Sequence, residues 1–314
     1  DALSGNGKIT SGGGVDTILG NTGIDTIVLD GPAGDGSSFN GGDDNDTLVL
    51  TPQAFNFVDT VTNTGSYVSL TGSTLTSLET VQFNSASGEQ LRALLGIWQL
   101  GSIGTLRGGA GTDGFIVIAP NAGTYAIPSL NLDNWTGGDF VSFVAVNSTG
   151  NVTFNTANHA GFYAIGGGAG NDTLNGSDGV EIFTGGAGDD TIAGFGGNDR
   201  LSGGTGLNTL SGGAGNDALV LDAVFTDGSI FDGGADSDTL VVTAQAFNFV
   251  DTVFGTGSYV RLTSATVSDL ETVQFDSVAG QERRTLLNIG QIGSIGTLRG
   301  GAGTDGFIVT APIA

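Results

Sequence analysis

Residues Gly167–Val220 read GGAGNDTLN, GSDGVEIFT, GGAGDDTIA, GFGGNDRLS, GGTGLNTLS and GGAGNDALV, six nine-residue units with no gap or insertion. The first and fourth positions are Gly throughout, and the eighth is always apolar: Leu174, Phe183, Ile192, Leu201, Leu210 and Leu219. The sixth runs Asp172, Glu181, Asp190, Asp199, Asn208 and Asp217. Glycine supplies the positive φ of a tight turn without steric cost. The last three positions set one apolar side chain between two outward neighbours, a minimal strand of period two. One such unit buries a single side chain and cannot stand alone, whereas stacked units bury a continuous file. The phase therefore predicts an all-β chain stacked as a solenoid.

With two units per coil, identical turns recur every 18 residues, so that Asp172 sits over Asp190 and Asp199 over Asp217. Stacked like charges repel unless a cation lies between them. Hard carboxylate oxygens beside turn carbonyls suit Ca2+ better than a transition metal. The alternative is a set of metal-free Asx turns in a Gly-rich coil. The six units resemble the calcium-binding nonapeptide repeat of the RTX (repeats-in-toxin) family, whose consensus is GGxGxDxUx. That resemblance implies a parallel β-roll or β-helix solenoid stabilised by Ca2+ held between turns, and export by a one-step, type I route. Glu181 is one methylene longer than Asp and Asn208 is neutral, so these two line the poorest sites.

Composition narrows the partners. The chain has 314 residues, and its 58 glycines follow no three-residue period, which excludes collagen. Thirty-two acidic residues against eight basic ones give a net charge of −24. No basic patch is available for nucleic acid or anionic lipid, and no apolar run reaches transmembrane length. Neither nucleic acid nor membrane insertion is expected. Cysteine is absent, so metal is the remaining staple. Methionine is absent too, even at the first position, which reads as an internal or processed piece of something longer.

A long repeat encloses the nonapeptides. TPQAFNFVDT at Thr51–Thr60 returns as TAQAFNFVDT at Thr243–Thr252, and IGTLRGGAGTDGFIV at Ile103–Val117 returns unchanged at Ile295–Val309, both at an offset of 192. Residues 1–122 form a first copy and 193–314 a second, partial one; 123–166 occur once, and 167–220 are the nonapeptide roll. A tandem array in the parent is the simpler origin, a two-copy duplication the alternative. The first copy adds Asp16, Asp25, Asp46 and Asp113 at position six of further units, and the second adds Asp238 and Asp305. With Asp172, Asp190, Asp199, Asn208 and Asp217 these are the candidate Ca2+ ligands. Asp44 and Asp236 replace a fourth Gly, either as extra ligands or as exposed turn acids.

Between the turns lie longer alternating segments: Ala54–Val58, Tyr67–Leu70, LETVQF at Leu78–Phe83, then SLNLDNW, DFVSFVAV and NVTFNTA. They read as wider rungs of the same stack. LETVQF resembles segments of RTX-containing surface-layer proteins. Gln90–Leu95 and its counterpart Gln281–Leu287 are the helical candidates. Arg107 and Arg299 precede identical turns, where each could bridge coils or lie in solvent. His159, the single histidine, reads as a surface or core residue, because no second His exists to complete a metal site.

No GxSxG elbow, HExxH, P-loop or dinucleotide fingerprint is present, so the chain is expected not to be an enzyme. Acids outside the turns, Glu79 and Glu271, read as strand-edge charges. Together these features predict a calcium-binding structural protein of the bacterial cell surface, secreted, folding on Ca2+ and self-associating into a lattice, fibre or adhesin. The alternative is the secretion and folding module of an exported enzyme or toxin whose catalytic domain lies elsewhere.

Overall fold

In the structure, a computed structural model describing residues 2–54, 57–58, 66–135, 138–145, 148–156, 162–224, 227–243, 246, 249–250, 258–277, 279, 282–288, 291, 293 and 295–310, two nonapeptides make one coil. Thr173 pairs in parallel with Thr191, and Thr191 with Thr209, a step of 18 residues. On the opposite wall Phe183 pairs with Leu201 and Leu201 with Leu219, again 18 apart. Leu174, Ile192 and Leu210 thus face Phe183, Leu201 and Leu219, all buried, and these two files are the core. The strands are longer than the minimal three residues: Thr191–Gly196 and Thr209–Ala214 run through position nine into the following glycines. Small residues let that extended stretch lie close against its neighbours.

The described residues within Asp1–Pro120, Ile127–Val144 and His159–Tyr163 form one compact unit, and those within Asn121–Ala126, Ala145–Asn158 and Ala164–Ala314 another. Each is a parallel β-solenoid. In the first, Lys8–Ser11, Thr26–Leu29, Thr47–Leu50, Thr80–Phe83, Thr105–Arg107 and Asn131–Asp133 stack in that order. The coil widens along the way. Thr26 pairs with Thr47 and Thr47 with Thr80, so the rung keeps its place although the sequence spacing grows. The second unit repeats this, with Ala218 against Thr239 and Thr239 against Thr272.

Gln90–Gly96 is a strand, not the expected helix, and so is Glu282–Asn288. Gln, Leu, Arg and Ala all favour helix, but Leu91, Ala93 and Leu95 are buried by alternation, and the segment is held between Ser66–Ser69 and Thr112–Ala119. Tertiary pairing overrides local preference here. The expected strand at Ala54–Val58 is also revised: Pro52–Ala54 is a 3-10 turn and only Phe57–Val58 is extended, antiparallel to Ser66–Tyr67, with Phe55 and Asn56 outside the described residues. The other alternating segments are strands at Asn131–Asp133, Phe140–Ala145 and Val152–Thr156. Among the described residues there is no α-helix, and no helix is long and apolar enough to cross a membrane.

Candidate metal centre

The sixth residue of each nonapeptide turns its side chain inward along the stack. In the second unit Val152 N–H donates to Asp172 Oδ1 at 2.7 Å, Asp172 N–H to Asp190 Oδ1 at 2.8 Å, and Asp190 N–H to Asn208 Oδ1 at 2.9 Å. Asn208 N–H then donates to Ser229 Oγ at 3.1 Å. Along the other edge Glu181 N–H donates to Asp199 Oδ1, Asp199 N–H to Asp217 Oδ1, and Asp217 N–H to Asp238 Oδ1, at 2.7–2.8 Å. Both files follow from the 18-residue coil. Position five makes a second ladder of opposite sense: Asp189 N–H donates back to Asn171 Oδ1, and Leu207 N–H to Asp189 Oδ1, each at 2.9 Å.

One oxygen of each carboxylate is spent on that ladder; the other is buried and makes no hydrogen bond among the described residues. This holds for Oδ2 of Asp172, Asp190, Asp199, Asp217 and Asp238. The first glycine of the turn faces it. A Cβ on Gly194 would collide with Asp199 Oδ2 and the Gly212 carbonyl, and one on Gly212 with Asp217 Oδ2 and the Gly233 carbonyl. The first Gly is therefore required by close approach; positive φ belongs to positions two and four, 117° at Gly186 and 130° at Gly188. The donor set is acceptor-only oxygen, from carboxylate and backbone carbonyl, which fits a hard cation such as Ca2+. No group of three or more His, Cys, Asp or Glu side chains gathers among the described residues, so the carbonyls are needed to complete such a site.

Burial also sets the proton affinity. It pushes the carboxyls of Asp46, Asp113, Asp172 and Asp217 above the ordinary aspartate range, although each accepts a backbone N–H that acts the other way. Asp190 and Asp238 are pushed up to about 6. Asp199 is pushed up to about 8, first by burial and then by the charges of Glu181 and Asp217.

The remaining candidates divide. Asp25 and Asp46 belong to a like file in the first unit: Gly7 N–H donates to Asp25 Oδ1 and Asp25 N–H to Asp46 Oδ1, both at 2.7 Å, and the Oδ2 of each is buried without a hydrogen bond among the described residues. Asp113 is buried, with Oδ2 held by Gly109 N–H and Ser85 Oγ and Oδ1 lacking a hydrogen bond among the described residues; Asp305, half-buried, repeats these hydrogen bonds with Gly301 and Ser277. Asp16 is half-buried and its Oδ2 accepts from Ser11 Oγ at 2.6 Å. Asn208 directs Nδ2 to the Gly204 carbonyl at 3.2 Å, a donor where its neighbours present an acceptor. Glu181 is buried, with Oε1 accepting from Ser177 Oγ at 2.6 Å.

Asp44 and Asp236 are exposed, at φ 80° and 84°, and accept Gly23 and Gly215 N–H from the preceding coil. Arg107 bridges coils, pairing with Asp133 at 2.6 Å and donating to Gln82 Oε1 at 3.2 Å. His159 lies outside the described residues.

Two acids of the site do not stand out in the sequence. Glu79 and Glu271 are not strand-edge charges: Glu79 Oε2 accepts Asp46 N–H and Glu271 Oε2 accepts Asp238 N–H, both at 2.7 Å, so each closes a file. The signal was the Thr that follows each, which pairs with the Thr after Asp46 or Asp238.

Residues 1–30, 166–192 and 193–223 match the family model of the RTX calcium-binding nonapeptide repeat (4 copies). Comparisons with curated proteins and with solved structures find no match. Each matched segment contributes acids to the stacked files, Asp25 in the first, Asp172 and Asp190 in the second, Asp199 and Asp217 in the third, and these segments thus carry the RTX calcium-binding nonapeptide repeat.

Proposed function

We propose that this chain is a calcium-rigidified structural segment of a secreted bacterial surface protein, part of a surface layer, extracellular fibre or adhesin, which folds when Ca2+ binds after export. One observation carries the reading: among the described residues, files of buried carboxylates each leave an oxygen without a hydrogen bond beside backbone carbonyls. Asp172, Asp190, Asp199, Asp217, Asp25, Asp46 and Asp238 are the residues that would hold the ions, with Asp113 and Asp305 at the wider rungs; Asp16 and Asn208 fit less well. When bound, Ca2+ supplies the positive charge that lets these acids stay ionised inside the fold. Without it, repulsion and desolvation favour an unfolded chain suited to export, and folding becomes coupled to extracellular Ca2+.

The 192-residue repeat supports a structural role, because copying a scaffold adds length and surface for self-association without adding chemistry. We assign the chain no catalytic role. Circular dichroism and size-exclusion chromatography in millimolar Ca2+ and in EGTA test the reading. The expected result is a β spectrum and a compact chain in Ca2+ alone; equal spectra in both would overturn it.

A further inference from the structure

We propose that Glu79 and Glu271 are cation ligands, each forming a divalent-cation site between the nonapeptide turn of Asp46 or Asp238 and a next corner that is not a nonapeptide. The inference rests on the calcium reading above and extends it to residues outside the matched segments. In sequence, 33 residues separate Asp46 from Glu79, and the same number Asp238 from Glu271. In space each pair is one coil apart. Thr47 lies beside Thr80 and Thr239 beside Thr272, so the residue before each second threonine falls where an aspartate stands in the repeat.

The carbonyl that completes a repeat turn is reproduced as well. A Cβ on Gly41 would collide with Asp46 Oδ2 and the Ser77 carbonyl, and one on Gly233 with Asp269 O and Asp238 Oδ2. In the repeat the corresponding carbonyl belongs to a glycine, such as Gly212 facing Gly194. Ser77 and Asp269 each adopt φ 47°, a left-handed conformation that residues with a side chain rarely enter, and the carbonyl of each stands where the repeat places that of a glycine.

The second observation is independent of the acidic pairing. Asp46 and Asp238 are 0 % exposed, and the Oδ2 of each makes no hydrogen bond among the described residues. Glu79 and Glu271 accept only one backbone N–H apiece from these aspartates, which does nothing for that second oxygen. The oxygens at each corner, two carboxylates and a carbonyl, are acceptors alone, a set that a hard divalent cation satisfies and a side-chain hydrogen bond does not. Eight basic residues against thirty-two acids leave little protein charge to take its place.

The test counts bound Ca2+ per chain by equilibrium dialysis and atomic absorption, for the full 314-residue chain and its E79Q/E271Q variant. Gln keeps an oxygen for the Asp46 or Asp238 N–H, so the circular dichroism in saturating Ca2+ should match the parent while one ion is lost per substituted glutamate. An unchanged count in a folded variant overturns the proposal and leaves the wider calcium reading intact. A parent that binds no Ca2+ overturns both. Should E79Q/E271Q not fold, the single variants E79Q and E271Q are counted instead: one ion fewer than the parent in each supports the site, and the parent count in either folded variant overturns it.

Discussion

Asp199 and Asp217 stand one coil apart, and the backbone N–H of the first donates to Oδ1 of the second at 2.7 Å while Oδ2 of both stays buried without a hydrogen bond among the described residues. The same carboxylate therefore braces the coil before it and exposes a charge to the interior. A neutral oxygen could do the bracing, as Asn208 does for Asp190. Only the second task needs an ion.

That division predicts opposite effects of D199N in the two states. Asn keeps an oxygen for the Glu181 N–H and removes a buried charge, so in EGTA any residual structure should melt higher than in the parent. An unsatisfied buried group costs about 1–3 kcal/mol, which bounds the gain. In Ca2+ the variant lacks a charged ligand, and its folding midpoint should need about tenfold more Ca2+, or about 1.4 kcal/mol. Calcium titrations followed by circular dichroism measure both. A variant less stable in EGTA would show that Asp199 is held by the protein alone.

Acid should act as a substitute for calcium. Asp190 and Asp238 are raised to about 6 and Asp199 to about 8 in the fold, against about 3.9 for an unfolded aspartate. The folded state thus binds protons that the unfolded state releases. The stability linked to these groups is fully present below about pH 4 and is lost as pH rises through 6 and then 8. In EGTA the chain should gain β structure on acidification from pH 8.5 to 5. In limiting Ca2+ acid should raise the Ca2+ midpoint, since protons and ions compete for the same oxygens. Ellipticity that is flat with pH in EGTA would contradict the burial argument.

Glycines of the same turn should differ by their surroundings. Gly194 has no positive φ to defend, so G194A tests only whether a methyl fits between Asp199 Oδ2 and the Gly212 carbonyl. Overpacking of this kind costs about 1–3 kcal/mol, and Ca2+ affinity should fall with it. Gly101, whose Cβ would meet nothing within 4 Å, is the control, and G101A should leave both unchanged. Chemical denaturation in Ca2+ compares the three chains.

Where phase was strict, the coil could be read from the residues. Asp172, Asp190 and Asn208 are nine-residue neighbours twice removed, and they meet because two strands and two turns consume 18 residues. Where phase broke, it could not. Glu79 follows Asp46 by 33 residues instead of 18, and nothing local distinguishes a corner acid that closes a file from one that faces water; only the pairing of Thr47 with Thr80 does. Gln90–Gly96 is a similar case, since its helix-favouring residues also alternate and the deciding partners lie at Ser66–Ser69 and Thr112–Ala119. Sequence alone suggests turn conformation for the first glycine, because a collision with Asp Oδ2 arises only when the next coil is in place.

Phe195 offers the converse of the Gly194 test. It occupies position two of GFGGNDRLS, where its neighbours Gly186, Gly204 and Gly213 all have positive φ, and it adopts φ 73° despite its side chain. The ring is 56 % exposed, so little burial offsets the strain. A left-handed non-glycine residue costs about 1–3 kcal/mol, while glycine adds about 0.4–1 kcal/mol of unfolded-state entropy. F195G should therefore raise stability in Ca2+ by about 1 kcal/mol, with no change in the number of ions bound, because Phe195 contributes no carboxylate to either file. F195A, which removes the ring but keeps the Cβ and hence the strain, should gain nothing. If both variants behave alike in chemical denaturation, exposure of the ring rather than the backbone governs this turn.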